Sequence, residues 1–171
     1  MSDLILLARL LAGPQHGYAL KKHVGFFSSQ SQMHNNLVYP LLRRFVHNGW
    51  IRKRSAVGQR GQTREVYALT KKGKQELLRR LGEFSAKDAA SENAFRLRVG
   101  LFAVLDAATR QRILGERDGW LAARLERLAK LQASMDLGEW GGEVVRFLRR
   151  QTDSEREWIA RLHRSARRES R

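Results

Sequence analysis

The chain lacks cysteine, has 2 prolines in 171 residues, and sets 17 acidic residues against 33 Lys+Arg. Without cysteine it can form no disulfide, no thiolate metal site and no thiol nucleophile, which agrees with a reducing, cytoplasmic setting. No apolar run approaches the ~20 residues of a membrane span. LILLARLLAG near the start is shorter, is interrupted by Arg9 and follows Asp3 in place of a basic stretch, so it does not read as a leader. The five histidines (16, 23, 34, 47 and 163) show no HExxH or comparable ligand spacing. GQRG at 58–61 is a turn sequence and not a phosphate loop, and no Ser/His/acid grouping stands out. These absences argue against an enzyme, a metal and a cofactor.

The missing acids are missing unevenly. Residues 1–82 hold 15 Lys+Arg against 3 Asp+Glu, a net of +12, whereas 83–171 hold 18 against 14, a net of +4. A basic excess confined to one half of a chain points to a polyanionic partner, nucleic acid first.

That half contains the most informative stretch, Ser31 to Leu69. Val38, Leu42 and Phe45 fall at i, i+4 and i+7 and give a helix one apolar face. Tyr39, Arg43 and His47 share another face, with Arg44 beside it. A start at Asn35 or Asn36 would keep Pro40 within the first turn, where proline is tolerated, and Gly49 would stop the helix. IRKRS and REVYAL then flank a glycine-containing tip and read as a basic hairpin carrying Arg52, Lys53, Arg54, Arg60 and Arg64. Glu65, Tyr67 and Leu69 fall on one of its faces.

Two helices precede this stretch. Asp3 is placed to cap the first, with Leu4, Leu7 and Leu11 at helical spacing and Gly13-Pro14 as its stop. The second starts near His16-Gly17-Tyr18, carries Leu20 and Val24, and ends around Gly25. Three helices and a two-stranded wing are the order of a winged helix-turn-helix, in which the third helix enters the major groove. Thr70 is the expected cap of a fourth helix bearing Leu77, Leu78 and Leu81.

The rest reads as helical. GEFSAKDAASEN (82–93) has the lowest hydrophobicity and marks a connector. After the short apolar segment 95–105, Asp106 is placed to cap a helix from Ala107 to about Met135. There Leu114, Leu121, Leu128 and Met135 recur every seven residues among charges that include Arg117. Gly138 to Gly142 reads as a break, and a last helix from about Glu143 carries Val144, Leu148, Trp158, Ile159 and Leu162, interrupted by Gln151 and Glu155. Two long amphipathic helices with little to cover them call for a second copy of the chain. The expected fold is therefore mainly α. It comprises a winged helix-turn-helix over 1–82, a connector over 83–93, and a helical dimerisation or effector region over 94–171.

At this point LILLARLLAGPQHGYAL (4–20), LVYPLLRRFVHNGWI (37–51) and REVYALTKKGKQELL (64–78) resemble the PadR-like transcriptional regulators. The HGY element, YPLL, the glycine helix end and the Y-x-L-T-x-x-G run occur in the order and spacing of that family, and EWIARL (157–162) resembles its helical region more loosely. The resemblance implies a cytoplasmic bacterial repressor that dimerises through its C-terminal helices. It would bind a palindromic double-stranded DNA operator and be released by a small, often aromatic effector. Family members usually carry acids after the third helix, where this chain has Val46-His47-Asn48-Gly49.

Asn36, Tyr39 and Arg43 are the candidates for reading bases, because Asn suits adenine edges and Arg suits guanine O6/N7. Tyr18, Lys22, Arg44, Arg60, Gln62 and Arg64 are the candidates for backbone contact, and Trp120, Trp140 and Trp158 for an aromatic effector pocket. The competing readings are an adaptor that keeps the winged-helix shape without reading DNA and an RNA-binding winged helix. A basic third helix and wing disfavour the first, while charge alone does not separate DNA from RNA.

Overall fold

The computed structural model describes residues 2–23, 35–57 and 63–168. The expected end of the second helix at Val24 and Gly25 and the hairpin tip with Arg60 and Gln62 lie outside the described residues. The chain forms two compact units, one of Met1–Glu83 with Arg96–Val104 and one of Phe84–Phe95 with Leu105–Arg171.

The first unit begins with α1 (Ser2–Arg9), a 3-10 turn (Leu10–Ala12), β1 (Gln15–His16) and α2 (Gly17–His23). Then come α3 (Asn35–His47), β2 (Ile51–Val57), β3 (Thr63–Leu69) and α4 (Lys71–Gly82). Leu4, Ile5, Leu6 and Leu7 are all buried, and Leu10, not the expected Leu11, completes the stripe. Asp3 lies within the first turn of α1 and is not its cap. Its carboxylate instead accepts from Arg80 Nη1 of α4 at 2.6 Å. The hairpin has the expected antiparallel strands, with Ile51 opposite Leu69 and Lys53 opposite Tyr67. A third strand unannounced by the sequence, β1, pairs with the other edge of β3 and sets Gln15 opposite Tyr67.

The turn from α3 into β2 is closed by local chemistry. Gly49 adopts a left-handed φ of 71°. Its N–H donates to Val46 O at 3.0 Å and that of Trp50 to Phe45 O at 2.9 Å. The Trp50 ring then packs on Phe45 with centroids 5.5 Å apart. These two bonds and the apolar contact form a Schellman motif, which satisfies the last carbonyls of the helix. Pro40 departs from expectation: it is the sixth residue of α3, past the first turn. It has no N–H to offer the carbonyl of Asn36, and its exposed ring faces away from the core.

Thr70 caps α4 as expected, its Oγ1 accepting from Gly73 N at 3.0 Å. The same hydroxyl lies 2.7 Å from Gly49 O and 2.9 Å from Trp50 O, to which it donates. At the other end of α4, the buried Arg98 donates through Nε to Leu81 O at 3.1 Å and through Nη2 to Glu83 O at 2.7 Å. A guanidinium on the terminal carbonyls both caps the helix and complements its dipole.

The second unit is helical. It contains α5 (Ala86–Ala90) and takes in the start of α6 (Glu92–Val99). The long helices α7 (Ala107–Ser134) and α8 (Gly138–Arg168) follow. Ser85 and Asp88 form a capping box for α5, and Asp106 caps α7 by accepting from Thr109 N at 2.8 Å. α7 and α8 run antiparallel, as shown by Gln111–His163, Asp118–Arg156 and Gln132–Arg149. Two expectations need correction here. The glycine-rich stretch does not delay α8 to Glu143: the helix starts at Gly138, whose φ is 58° and whose N–H donates to Asp136 Oδ1 at 3.0 Å. Glycine within a helix costs about 1 kcal/mol relative to alanine but does not forbid one of this length. Arg117, expected among solvated charges, is fully buried. It forms a two-pronged pair with Glu155 at 2.9 Å and 2.9 Å and also donates to Ala89 O at 2.5 Å. The heptad stripe is buried at Leu114 and Leu121 and exposed at Met135 (57%).

Candidate nucleic-acid interface

α3 is held by its apolar side. Val38, Leu42 and Phe45 are buried, and the same periodicity turns Tyr39, Arg43 and His47 outward. Tyr39 is 40% exposed and lies between two adjoining grooves. One, about 370 Å³, runs between α3 and the hairpin past Arg43, His47, Lys53 and Glu65. The other, about 650 Å³, runs between the start of α2 and the hairpin past His16, Tyr18, Arg64 and Glu65. Tyr39, Glu65 and Tyr67 border both.

Gly17 explains how these elements come together. A β-carbon on it would stand 3.4 Å from the Tyr67 ring and 3.6 Å from the Tyr39 ring, so both rings lie against its α-carbon. The HGY sequence is thus three roles in a row: His16 in β1, Gly17 under two tyrosines, and Tyr18, a residue 73% exposed.

The electrostatics of the face are set by one acid among bases. Glu65 is the single carboxylate among the described residues lining the two grooves. It forms an ion pair with Lys53, and the Tyr67 hydroxyl donates to its Oε2 at 2.8 Å. The Lys53 ammonium, then the Tyr67 hydroxyl, hold the Glu65 carboxyl below its usual pKa. Burial first, and then donation to Glu65, push the Tyr67 hydroxyl up to about 12.

Of the candidate base readers, Tyr39 and Arg43 line the same groove. Asn36 lies in the first turn of the same helix, but its side chain is outside the described part. Among the backbone candidates, Tyr18 and Arg64 border the second groove, while Arg44 is 52% exposed and its Nη2 is 3.9 Å from Asp3. Lys22 is placed on α2 by its backbone only, and Arg60 and Gln62 lie outside the described residues. Local composition and helical periodicity do not mark Glu65 and Tyr67 as interface residues. The strand register would have shown them, since it sets Lys53 opposite Tyr67 and one step from Glu65 on the same face.

The three tryptophans are not joined by a ring contact among the described residues. The guanidiniums of Arg117, Arg124 and Arg127 lie 4.9, 5.6 and 5.8 Å from the centroid of the half-buried Trp120 ring. Trp158 meets Phe95 edge-on at 5.7 Å, and Trp140 is 79% exposed. No group of acids and histidines that could hold a metal occurs among the described residues, and none of their helices is long and apolar enough to cross a membrane.

Residues 6–79 match the model of the transcriptional regulator PadR-like family. TA0346 of Thermoplasma acidophilum, assigned as a transcriptional regulator, is 32% identical over 44% of this chain and 72% of its own, with a TM-score of 0.41. A PadR family transcription regulator from Clostridium difficile R20291 is 26% identical over 44% and 78%, with a TM-score of 0.39. Bacillus subtilis PadR, solved in complex with operator DNA, is 18% identical over 96% and 98%, with a TM-score of 0.47. The same protein has been solved with p-coumaric acid (19% identical over 96% and 97%, TM-score 0.40). A search among curated proteins gave no match.

Proposed function

Because the chain belongs to the PadR-like family of transcriptional regulators, we propose that it binds double-stranded DNA in a sequence-specific manner, with α3 as the reading helix. The observation that carries this reading is the outward row of Tyr39, Arg43 and His47 on a helix anchored by Val38, Leu42 and Phe45, beside a strand whose Arg52, Lys53 and Arg54 are all exposed. An anchored helix with a polar, cationic outer side fits the major groove, and flanking cations fit phosphate. In this reading Asn36, Tyr39 and Arg43 read bases, and Tyr18, Lys22, Arg44, Arg60, Gln62 and Arg64 meet the backbone.

The protein works as a homodimer on a palindromic operator. A single chain leaves Met135, Trp140, Val144 and Phe147 more than half exposed, and Leu131 partly so, at one end of the α7–α8 pair, and a second copy is the simplest cover. Two copies would place two α3 helices about 34 Å apart, one turn of DNA. The regulator is a cytoplasmic repressor released by a small aromatic effector. Trp120, Trp140 and Trp158 are the residues proposed to receive it.

Selection of bound fragments from the source genome, followed by affinity measurement on selected and scrambled duplex at physiological salt, tests the central claim. A preference of about 10³-fold or more is expected for specific recognition. A ratio near one overturns it.

A further inference from the structure

We propose that Glu65 restrains the affinity of this face for DNA by holding Lys53 in an intramolecular ion pair where a phosphate would otherwise bind, and so sets the balance between specific and non-specific binding. The inference rests on the DNA-binding reading above and goes beyond it.

Three observations carry it. First, Glu65 is the single carboxylate among the described residues bordering the two grooves, facing Arg43, His47, Lys53 and Arg64. Second, it is fixed in place. Its two oxygens have different partners, Oε1 the Lys53 ammonium and Oε2 the Tyr67 hydroxyl, and the Tyr67 ring is itself buried. Third, the pair is open to exchange. The Lys53 and Glu65 side chains are 46% and 48% exposed, and an ion pair so open to water is held only weakly. A phosphate can therefore compete for Lys53, but only against a carboxylate already seated. Lysine engaged in this way adds little to binding on arbitrary sequence, where phosphate neutralisation supplies nearly all the affinity.

Glu65→Gln keeps the shape of the side chain and an oxygen for the Tyr67 hydroxyl while removing the charge that holds Lys53. It should free one cation for phosphate. The slope of log K against log salt on scrambled duplex should steepen by about 0.9, so that its advantage over wild type grows about eightfold per tenfold dilution of salt. The preference for the selected operator should fall. Lys53→Met alone should weaken scrambled-duplex binding, because it leaves the Glu65 carboxylate uncompensated on the DNA-facing side. In Lys53→Met/Glu65→Gln the gain should vanish. If wild type binds duplex but Glu65→Gln has an unchanged slope, the proposal fails. It also fails if the gain persists in the double variant, since Glu65 would then act by direct repulsion of phosphate. If wild type binds no duplex even at low salt, the DNA-binding reading fails, and this inference with it.

Discussion

Gly73 lies so close to Trp50 that a β-carbon on it would stand 1.9 Å from the Trp50 carbonyl oxygen and 2.7 Å from its carbonyl carbon. The obstacle is backbone, and it cannot turn aside. That same oxygen accepts from Thr70 N at 2.9 Å and lies 2.9 Å from Thr70 Oγ1, which caps α4. The T-x-x-G spacing is thus a docking device: the threonine caps the helix, and the glycine lets its first turn touch the residue that opens the wing. Gly73→Ala should cost at least the ~3 kcal/mol at the upper end of overpacking penalties. Thr70→Ala should cost about 1–2 kcal/mol as a lost cap. Urea denaturation of the full chain measures both, and a Gly73→Ala midpoint equal to wild type would show that the helix can back away.

This contact also shows what could be read without coordinates. Thr70, Asp106 and Gly49 work through neighbours within a few residues, and helix caps and ends of that kind are legible in sequence. β1 is two residues long, too short for an alternating pattern, and exists only because β3 has a free edge for it. The start of α8 was hidden because glycine signals a break by propensity alone, whereas Asp136 and the packing of the helix against α7 outweigh it. At the site, Tyr39 and Arg43 followed from helical periodicity. Glu65 and Tyr67 did not, because their meaning comes from the strand opposite.

Glu155 illustrates the same limit and yields a second prediction. In sequence it interrupts the apolar side of α8; in the fold it meets the buried Arg117 from 38 positions away. Removing one partner strands a buried charge, which typically costs about 3–5 kcal/mol. Arg117→Met and Glu155→Leu should each destabilise by that amount, while the double variant should recover much of it. Recovery should stay incomplete, because Arg117 also donates to Ala89 O. Equilibrium unfolding of the three variants checks this, and additive losses would contradict it.

The acid limb of stability should depend on Glu76. Its carboxylate accepts from Arg79 Nε at 2.9 Å and Arg80 Nε at 2.6 Å. Chiefly the bond from Arg79 holds its pKa down to about 2. An acid with a folded pKa below its unfolded one stabilises the fold above the unfolded value, near 4.3, and loses that contribution as pH falls toward the folded one. Glu76→Gln should therefore be less stable than wild type at neutral pH, with the gap closing between about pH 5 and pH 2. Denaturant midpoints across that range provide the check. A gap independent of pH would mean that Glu76 acts through shape alone.

Arg43 and Arg44 are adjacent in sequence and should separate cleanly in function. Arg43 lines the groove with Tyr39 and His47, whereas the Arg44 Nη2 turns toward Asp3 at 3.9 Å. A guanidinium that reads a guanine edge contributes about 1–3 kcal/mol of discrimination, and one that meets phosphate contributes equally on every sequence. Arg43→Ala should accordingly weaken binding to the selected operator while sparing much of the affinity for scrambled duplex. Arg44→Ala should lower both together and reduce the salt slope by about 0.9. Titrations of both variants on both duplexes over a salt series distinguish the two roles. Equal losses on both duplexes for Arg43→Ala would move it from base reading to backbone contact, leaving Asn36 and Tyr39 as the proposed readers on α3.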